Sequence, residues 1–158
     1  MHRFVRRGPL LSAIATGAIL AGPVAGAQAS DSTIRSTIDA YNARIAKDEA
    51  RILKAAATYD KTRQSTPLIT ALDHEVGDLR ALKSRLARES GSSARGRKGK
   101  QDVVKGLGLI ATGYSALAKD VHAASASKPI TNGELNAARS ADRKGHDLVV
   151  AGLKLLGR

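Results

Sequence analysis

The chain predicts an all-α fold: an antiparallel up-down-up-down four-helix bundle preceded by a signal peptide. Three observations predict it. Four segments carry apolar residues at alternating three- and four-residue spacing, the period of a helix that buries one seam. No segment alternates polar and apolar residues with period two over a useful length, which argues against strands. Turn and capping residues fall between the four segments and not inside them.

Residues 1–29 read as the signal peptide. His2, Arg3, Arg6 and Arg7 make a basic start, Pro9 to Gly22 is uncharged and mostly apolar, and Ala27-Gln28-Ala29 places small residues at a cleavage site. The apolar stretch is shorter than the ~20 residues that a membrane span takes. Arg6 and Arg7 are adjacent, but Pro9 occupies the position where an arginine-based export signal has an apolar residue. The expected destination is therefore the periplasm or the extracellular medium by the general route. Residues 30–158 have the length of one domain.

The first helix is expected over about 31–63, with the series Ile34, Ile38, Tyr41, Ile45, Asp48, Ile52, Ala55 and Tyr59. Ser65-Thr66-Pro67 ends it, and Pro67 suits the first turn of a second helix over 67–90. There the series is Ile69, Leu72, Val76, Leu79, Lys83 and Leu86. Gly91 to Lys100 contains only Gly, Ser, Ala, Arg and Lys and predicts a mobile basic loop. A third helix over 101–126 follows, with Val103, Leu107, Ile110, Tyr114, Leu117, Val121 and Ala124. Leu107 to Ala118 carries no charge, which makes this the helix expected to be most buried. Thr131-Asn132-Gly133-Glu134 is a capping box for a fourth helix over 132–156, and Ile130 with Leu135 forms a hydrophobic staple. Its stripe is Leu135, Ala138, Gly145, Leu148 or Val149, Gly152 and Leu155 or Leu156.

Counting outward from the turns pairs residues across the bundle. Asp48 and Lys83 interrupt their stripes at similar heights from Thr66, and are expected to face each other as a partly buried ion pair that sets the register. Counting from Lys128-Pro129 matches Gly113 with Gly145 and Gly106 with Gly152. Each glycine weakens a helix by about 1 kcal/mol relative to alanine, so close helix packing is the expected compensation. A crevice lined by Gly106, Gly113, Gly145 and Gly152, holding a small hydrophobic or flat ligand, is the alternative.

Composition excludes more chemistry than it suggests. Cysteine is absent, so disulfides, thiol catalysis, lipid attachment at a cleavage-site cysteine and cysteine-bound zinc are excluded. Aromatic residues make up 3% of the chain, too few for a base-stacking or sugar-binding platform. No Gly-x-Ser-x-Gly and no Gly-x-x-x-x-Gly-Lys-Ser/Thr motif occurs. His74 falls on the outward face of the second helix, while His122 and His146 fall just past the seam. His74 with Asp78 and Asp142 with His146 are spaced to pair along one helix, but no Glu-x-x-His motif accompanies them. Asp73, Glu75 and Asp78 lie in the first half of the second helix, where its dipole favours negative charge. No enzyme activity, metal or cofactor is expected.

Charge is the remaining signal. Three of the 26 Lys and Arg residues lie within 1–29 and none of the 14 acids do, leaving 23 bases against 14 acids, or +9. Arg95, Arg97, Lys98 and Lys100 are expected to share one end of the bundle with Arg88, Lys105, Lys154 and Arg158. Such an end attracts an anionic envelope component, whether phospholipid headgroups, an acidic wall polymer or an acidic protein. Nucleic acid is disfavoured as a physiological partner by export. A binding or structural role without catalysis is the leading expectation. A small-ligand carrier, or a helical protein whose bundle opens to dimerise, are the others.

Overall fold

A computed structural model of the chain describes residues 29–124 and 129–157. Four helices make it up: α1 (Ala29–Thr62), α2 (Thr66–Arg88), α3 (Ala94–Ala123) and α4 (Asn132–Leu155). No strand occurs among the described residues, and the arrangement is that of a four-helix bundle. The signal peptide assigned to residues 1–29 lies, Ala29 apart, outside the described residues, as does Arg158. No helix among the described residues is long and apolar enough to cross a membrane.

The helix boundaries follow local chemistry. At the end of α1, Arg63 adopts the left-handed conformation (φ 61°) and donates its N–H to Tyr59 O at 2.8 Å, closing the last turn. Its guanidinium also lies 5.7 Å from the centre of the Tyr59 ring. Pro67 sits in the first turn of α2, where its missing N–H leaves no helical bond unmade. At α4 the Thr131 hydroxyl accepts from Glu134 N–H at 3.2 Å, and the Glu134 carboxylate accepts from Thr131 N–H at 2.7 Å. Ile130 is buried and Leu135 half-buried beside this reciprocal cap.

The third helix begins seven residues earlier than expected, so residues 94–100 are helical and not a mobile loop. Ser93 is the N-cap, its hydroxyl accepting from Gly96 N–H at 2.7 Å. Asp31 in the first turn of α1 reaches across and accepts from Ser92 N–H at 3.0 Å and from the Ser93 hydroxyl at 2.7 Å. A side chain on Gly96 would collide with the Asp31 carboxylate. The glycines that read as loop residues are there to let neighbouring groups approach α3.

The core is one continuous apolar cluster to which all four helices contribute. On α1 the expected stripe is the buried one, with Tyr41 and Ile45 half-buried. On α2 the buried line runs Leu68, Leu72, Glu75, Leu79, Leu82 and Leu86, so Leu82 takes the position assigned to Lys83. Lys83 is exposed and lies across Gly108 of α3. Backbones approach closely between α3 and α4, between α2 and α3 and between α1 and α2, but α1 and α4 do not approach comparably. Gly77, exposed in mid-α2, has no atom within 4 Å of where a Cβ would stand. Gly77→Ala is therefore expected to stabilise the protein by about 1 kcal/mol, read as a higher urea midpoint.

Candidate functional site

The glycines of α3 and α4 meet backbone to backbone. A Cβ on Gly106 would stand 2.5 Å from Gly145 O, and one on Gly145 would stand 2.7 Å from Gly106 O. The same reciprocal relation joins Gly99 and Gly152, at 2.7 and 2.5 Å. Gly113 fits over Ala138 and Ala141. The pairing is thus displaced by one heptad from the expected Gly113–Gly145 and Gly106–Gly152. Glycines spaced by seven on both helices permit either register. Extension of α3 back to Ala94 brings Gly99 into contact and selects the observed one. At Gly106, Gly145 and Gly152 the space a side chain would take is met by a facing carbonyl, and at Gly113 by the Ala141 methyl group and Ala138 O, so the four glycines sit in close helix packing.

The basic end is ordered by its own bases. The helices α2 and α4 finish there with carbonyls that lack helical partners and with the negative ends of their dipoles. Lys100 Nζ donates to Glu89 O at 2.8 Å and Arg95 Nη2 to Lys154 O at 3.1 Å, so each caps one of these helices. Arg97 donates to Ser92 O at 3.3 Å, and Lys98 pairs with Asp102 one turn along. Arg88, Arg95, Arg97, Lys98, Lys105 and Lys154 remain exposed and Lys100 is half-buried. Asp31 and Asp102 are the buried acids of this end, and Asp31 ties α1 to it. The bond to Asp31 from Ser93, first, and those from Ser92 hold the Asp31 carboxyl below the ordinary value despite its burial.

A second polar site, missed in the sequence, lies inside the bundle near the seam between α1 and α4. Asp48 of α1 and Glu75 of α2 are 2% and 1% exposed, and Asp142 of α4 is buried as well. Each keeps one oxygen without a hydrogen-bond partner: Asp48 Oδ2, Glu75 Oε2 and Asp142 Oδ1. Asp48 is not paired with Lys83. Its Oδ1 accepts from Arg51 at 2.7 Å, and His74 Nδ1 stands 3.9 Å from Oδ2. The reason is the α2 face: with Leu82 turned inward, Lys83 points to solvent. The Tyr114 hydroxyl of α3 hydrogen-bonds to Asp142, and His146 Nε2 lies 3.6 Å from Asp142 Oδ1.

These surroundings raise three acids at the seam, one each on α1, α2 and α4: Glu49, Glu75 and Asp142. Burial, first, and then the charges of Glu49, Asp48, Asp78 and Asp142 push Glu75 up to about 8. Burial also raises Glu49, with Asp142 adding to the effect and His146 opposing it. Asp142 is raised by burial against the opposing influence of His146 and Tyr114. The Tyr114 hydroxyl is raised by burial and by the neighbouring carboxylates.

Beside these groups a cavity of ≈ 30 Å³ is walled mostly by apolar side chains, including Ile52, Leu72, Leu117 and Leu135. Its polar wall is Tyr114, Arg139 and Asp142, and the Arg139 Nε is buried without a hydrogen-bond partner. Among the described residues no three His, Asp or Glu side chains are placed to hold a metal ion. His74 and His122 are exposed, and His146 is partly buried beside Asp142. The arrangement is suited to taking up and releasing protons.

The signal for this site was present in the helical period. Asp142 falls between Ala138 and Gly145 on the α4 seam, and Glu75 falls between Leu72 and Leu79 on α2. The α2 stripe takes the neighbouring Val76 in place of Glu75, and the α4 stripe steps from Ala138 straight to Gly145, so neither acid is marked as a seam residue. No family model matches the chain, and no curated protein or solved structure shows significant similarity to it.

Proposed function

We propose that the chain is an exported, non-enzymatic protein that docks through its basic end on an anionic membrane surface. In this reading residues 1–29 are its signal peptide, and the bundle runs up-down-up-down behind it. The observation that carries the proposal is the gathering of exposed Arg88, Arg95, Arg97, Lys98, Lys105 and Lys154 where α2 and α4 finish and α3 begins. The first turn of α1 lies at this same end, through Asp31 and its bonds to Ser92 and Ser93. The apolar segment Pro9 to Gly22 therefore precedes, in sequence, a helix that starts among the bases. Charge complementarity suffices for such docking, at roughly 1 kcal/mol per basic residue near an anionic bilayer.

Close packing at Gly106, Gly113, Gly145 and Gly152 favours this reading over a small-ligand carrier. Dimerisation through an apolar face has little to draw on, since Val150 is the one exposed large hydrophobic residue among those described.

Vesicle co-sedimentation tests the proposal. The protein is expected to sediment with vesicles containing anionic phospholipid, to lose that association as salt rises, and to ignore zwitterionic vesicles. Replacing Arg95, Arg97, Lys98 and Lys100 together by Gln keeps donors for the Lys154 and Glu89 carbonyls. It is expected to weaken partitioning by about two to three orders of magnitude. Unchanged partitioning in that variant would sink the reading. Binding to an acidic wall polymer or an acidic protein but not to vesicles would replace the membrane by that partner.

A further inference from the structure

The seam between α1 and α4 is the loosest joint of the bundle, and the buried carboxylates sit across it. Contacts between α3 and α4 are backbone to backbone, whereas α1 is held mainly through α2 and through Asp31 at its first turn. Glu75 stands behind this joint on α2. Facing it are Asp48 and Glu49 on α1, with Arg51 committed to Asp48, and Asp142 and His146 on α4. Tyr114 of α3 completes the surround, His74 and Asp78 flank it on α2, and Arg139 lies farther along α4 in the cavity wall.

Among the described residues no cation pairs with the Glu75 oxygen that lacks a partner: Arg51 bonds Asp48, His146 contacts Asp142, and Arg139 lies in the cavity wall. A neutral carboxyl tolerates that position, but a carboxylate there adds charge to a group of carboxylates in a medium of low dielectric. Moving α1 outward relieves the repulsion and admits water, with the adjoining cavity as the place where water can enter.

We propose that Glu75 is a proton-operated latch on the α1–α4 seam: with its proton α1 closes against α4, and without it α1 parts from α4 and the cavity opens. The direction agrees with the effect of burial and of Glu49, Asp48, Asp78 and Asp142, which push Glu75 up to about 8. The closed form thus belongs to mildly acidic and neutral conditions and the open form to alkaline ones. The latch does not depend on what the basic end binds.

Hydrogen exchange on the whole protein, corrected for intrinsic rates, reads the latch directly. Between about pH 5.5 and about pH 8.5, protection of residues 45–56 of α1 is expected to fall at least about tenfold relative to residues 103–117 of α3. In Glu75→Gln the protection of α1 is expected to stay high at both values. A response that persists in Glu75→Gln assigns the titration to Glu49, Asp142 or His146 and overturns the latch. A wild-type protein without a response overturns it as well. Should Glu75→Gln fail to fold, a distance measured with Glu75 in place decides. The chain has no cysteine, so labels on Ala50→Cys and Lys144→Cys, both at exposed positions, are the only ones carried. A longer distance at the alkaline value supports the latch, and an unchanged distance overturns it.

Discussion

Gly106→Ala and Gly145→Ala are each expected to lower stability by about 1–3 kcal/mol, and the double variant by less than the sum. Alanine in mid-helix ordinarily strengthens a helix by about 1 kcal/mol over glycine, so both changes reverse the usual sign. The reason is the atom each methyl group meets. At Gly106 it is Gly145 O at 2.5 Å, with Val149 Cγ2 at 2.8 Å. At Gly145 it is Ile110 Cγ1 at 2.5 Å, with Gly106 O at 2.7 Å. A carbonyl oxygen within a helix cannot swing aside, so relief requires α3 and α4 to separate. Once one methyl group has spread the helices the second meets less resistance, which makes the pair sub-additive. Urea unfolding followed by far-ultraviolet ellipticity measures the effect, with Gly77→Ala as the control of opposite sign. Midpoints that rise equally in all three variants would show that α3 and α4 do not touch.

Stability is expected to peak near pH 4–5 and to fall as the solution becomes alkaline, losing up to about 4 kcal/mol by pH 8. The fall comes from Glu75, raised from 4.5 to about 8 in the folded protein. Its contribution is fully present below the unfolded value and is lost as pH rises through the folded one, because the unfolded chain gives up that proton first. Glu49 and Asp142, also raised, act in the same direction. Asp31 acts oppositely. Its folded value is lowered, so its contribution is present above the unfolded value and disappears as pH falls through the folded one. Glu75→Met keeps the volume of the side chain and removes its charge. It is expected to flatten the alkaline limb and to leave the acid limb, set by Asp31, in place. An alkaline limb equally steep in Glu75→Met would assign it elsewhere. Against a total of ~5–15 kcal/mol for a domain of this size, the loss is large enough to shift Tm by many degrees.

The helical period of α1 was legible residue by residue, from Ile34 to Tyr59, because its seam keeps one spacing throughout, with Asp48 its single interruption. The α4 cap was legible for a related reason. Thr131 and Glu134 act on each other across three residues, so nothing distant is needed to establish it. On α2 two faces fitted the apolar residues almost equally, and choosing Lys83 over Leu82 cost both the partner of Asp48 and the burial of Glu75. The start of α3 failed differently. A run of Gly, Ser, Arg and Lys has low helix propensity, and the groups that make it a helix are supplied from elsewhere: Asp31 from α1, and the Glu89 and Lys154 carbonyls from the ends of α2 and α4.

Local information therefore determined the class of fold, the count of helices, most of the core and the gathering of bases toward one end. These follow from apolar spacing and short-range capping, which act within a turn or two of the chain. The tertiary structure alone decided the Gly106–Gly145 register, the helical state of residues 94–100 and the convergence of Asp48, Glu75 and Asp142. A glycine repeat of seven fits two registers equally well within its own helix, and three carboxylates far apart in sequence perturb one another only after packing removes the water between them.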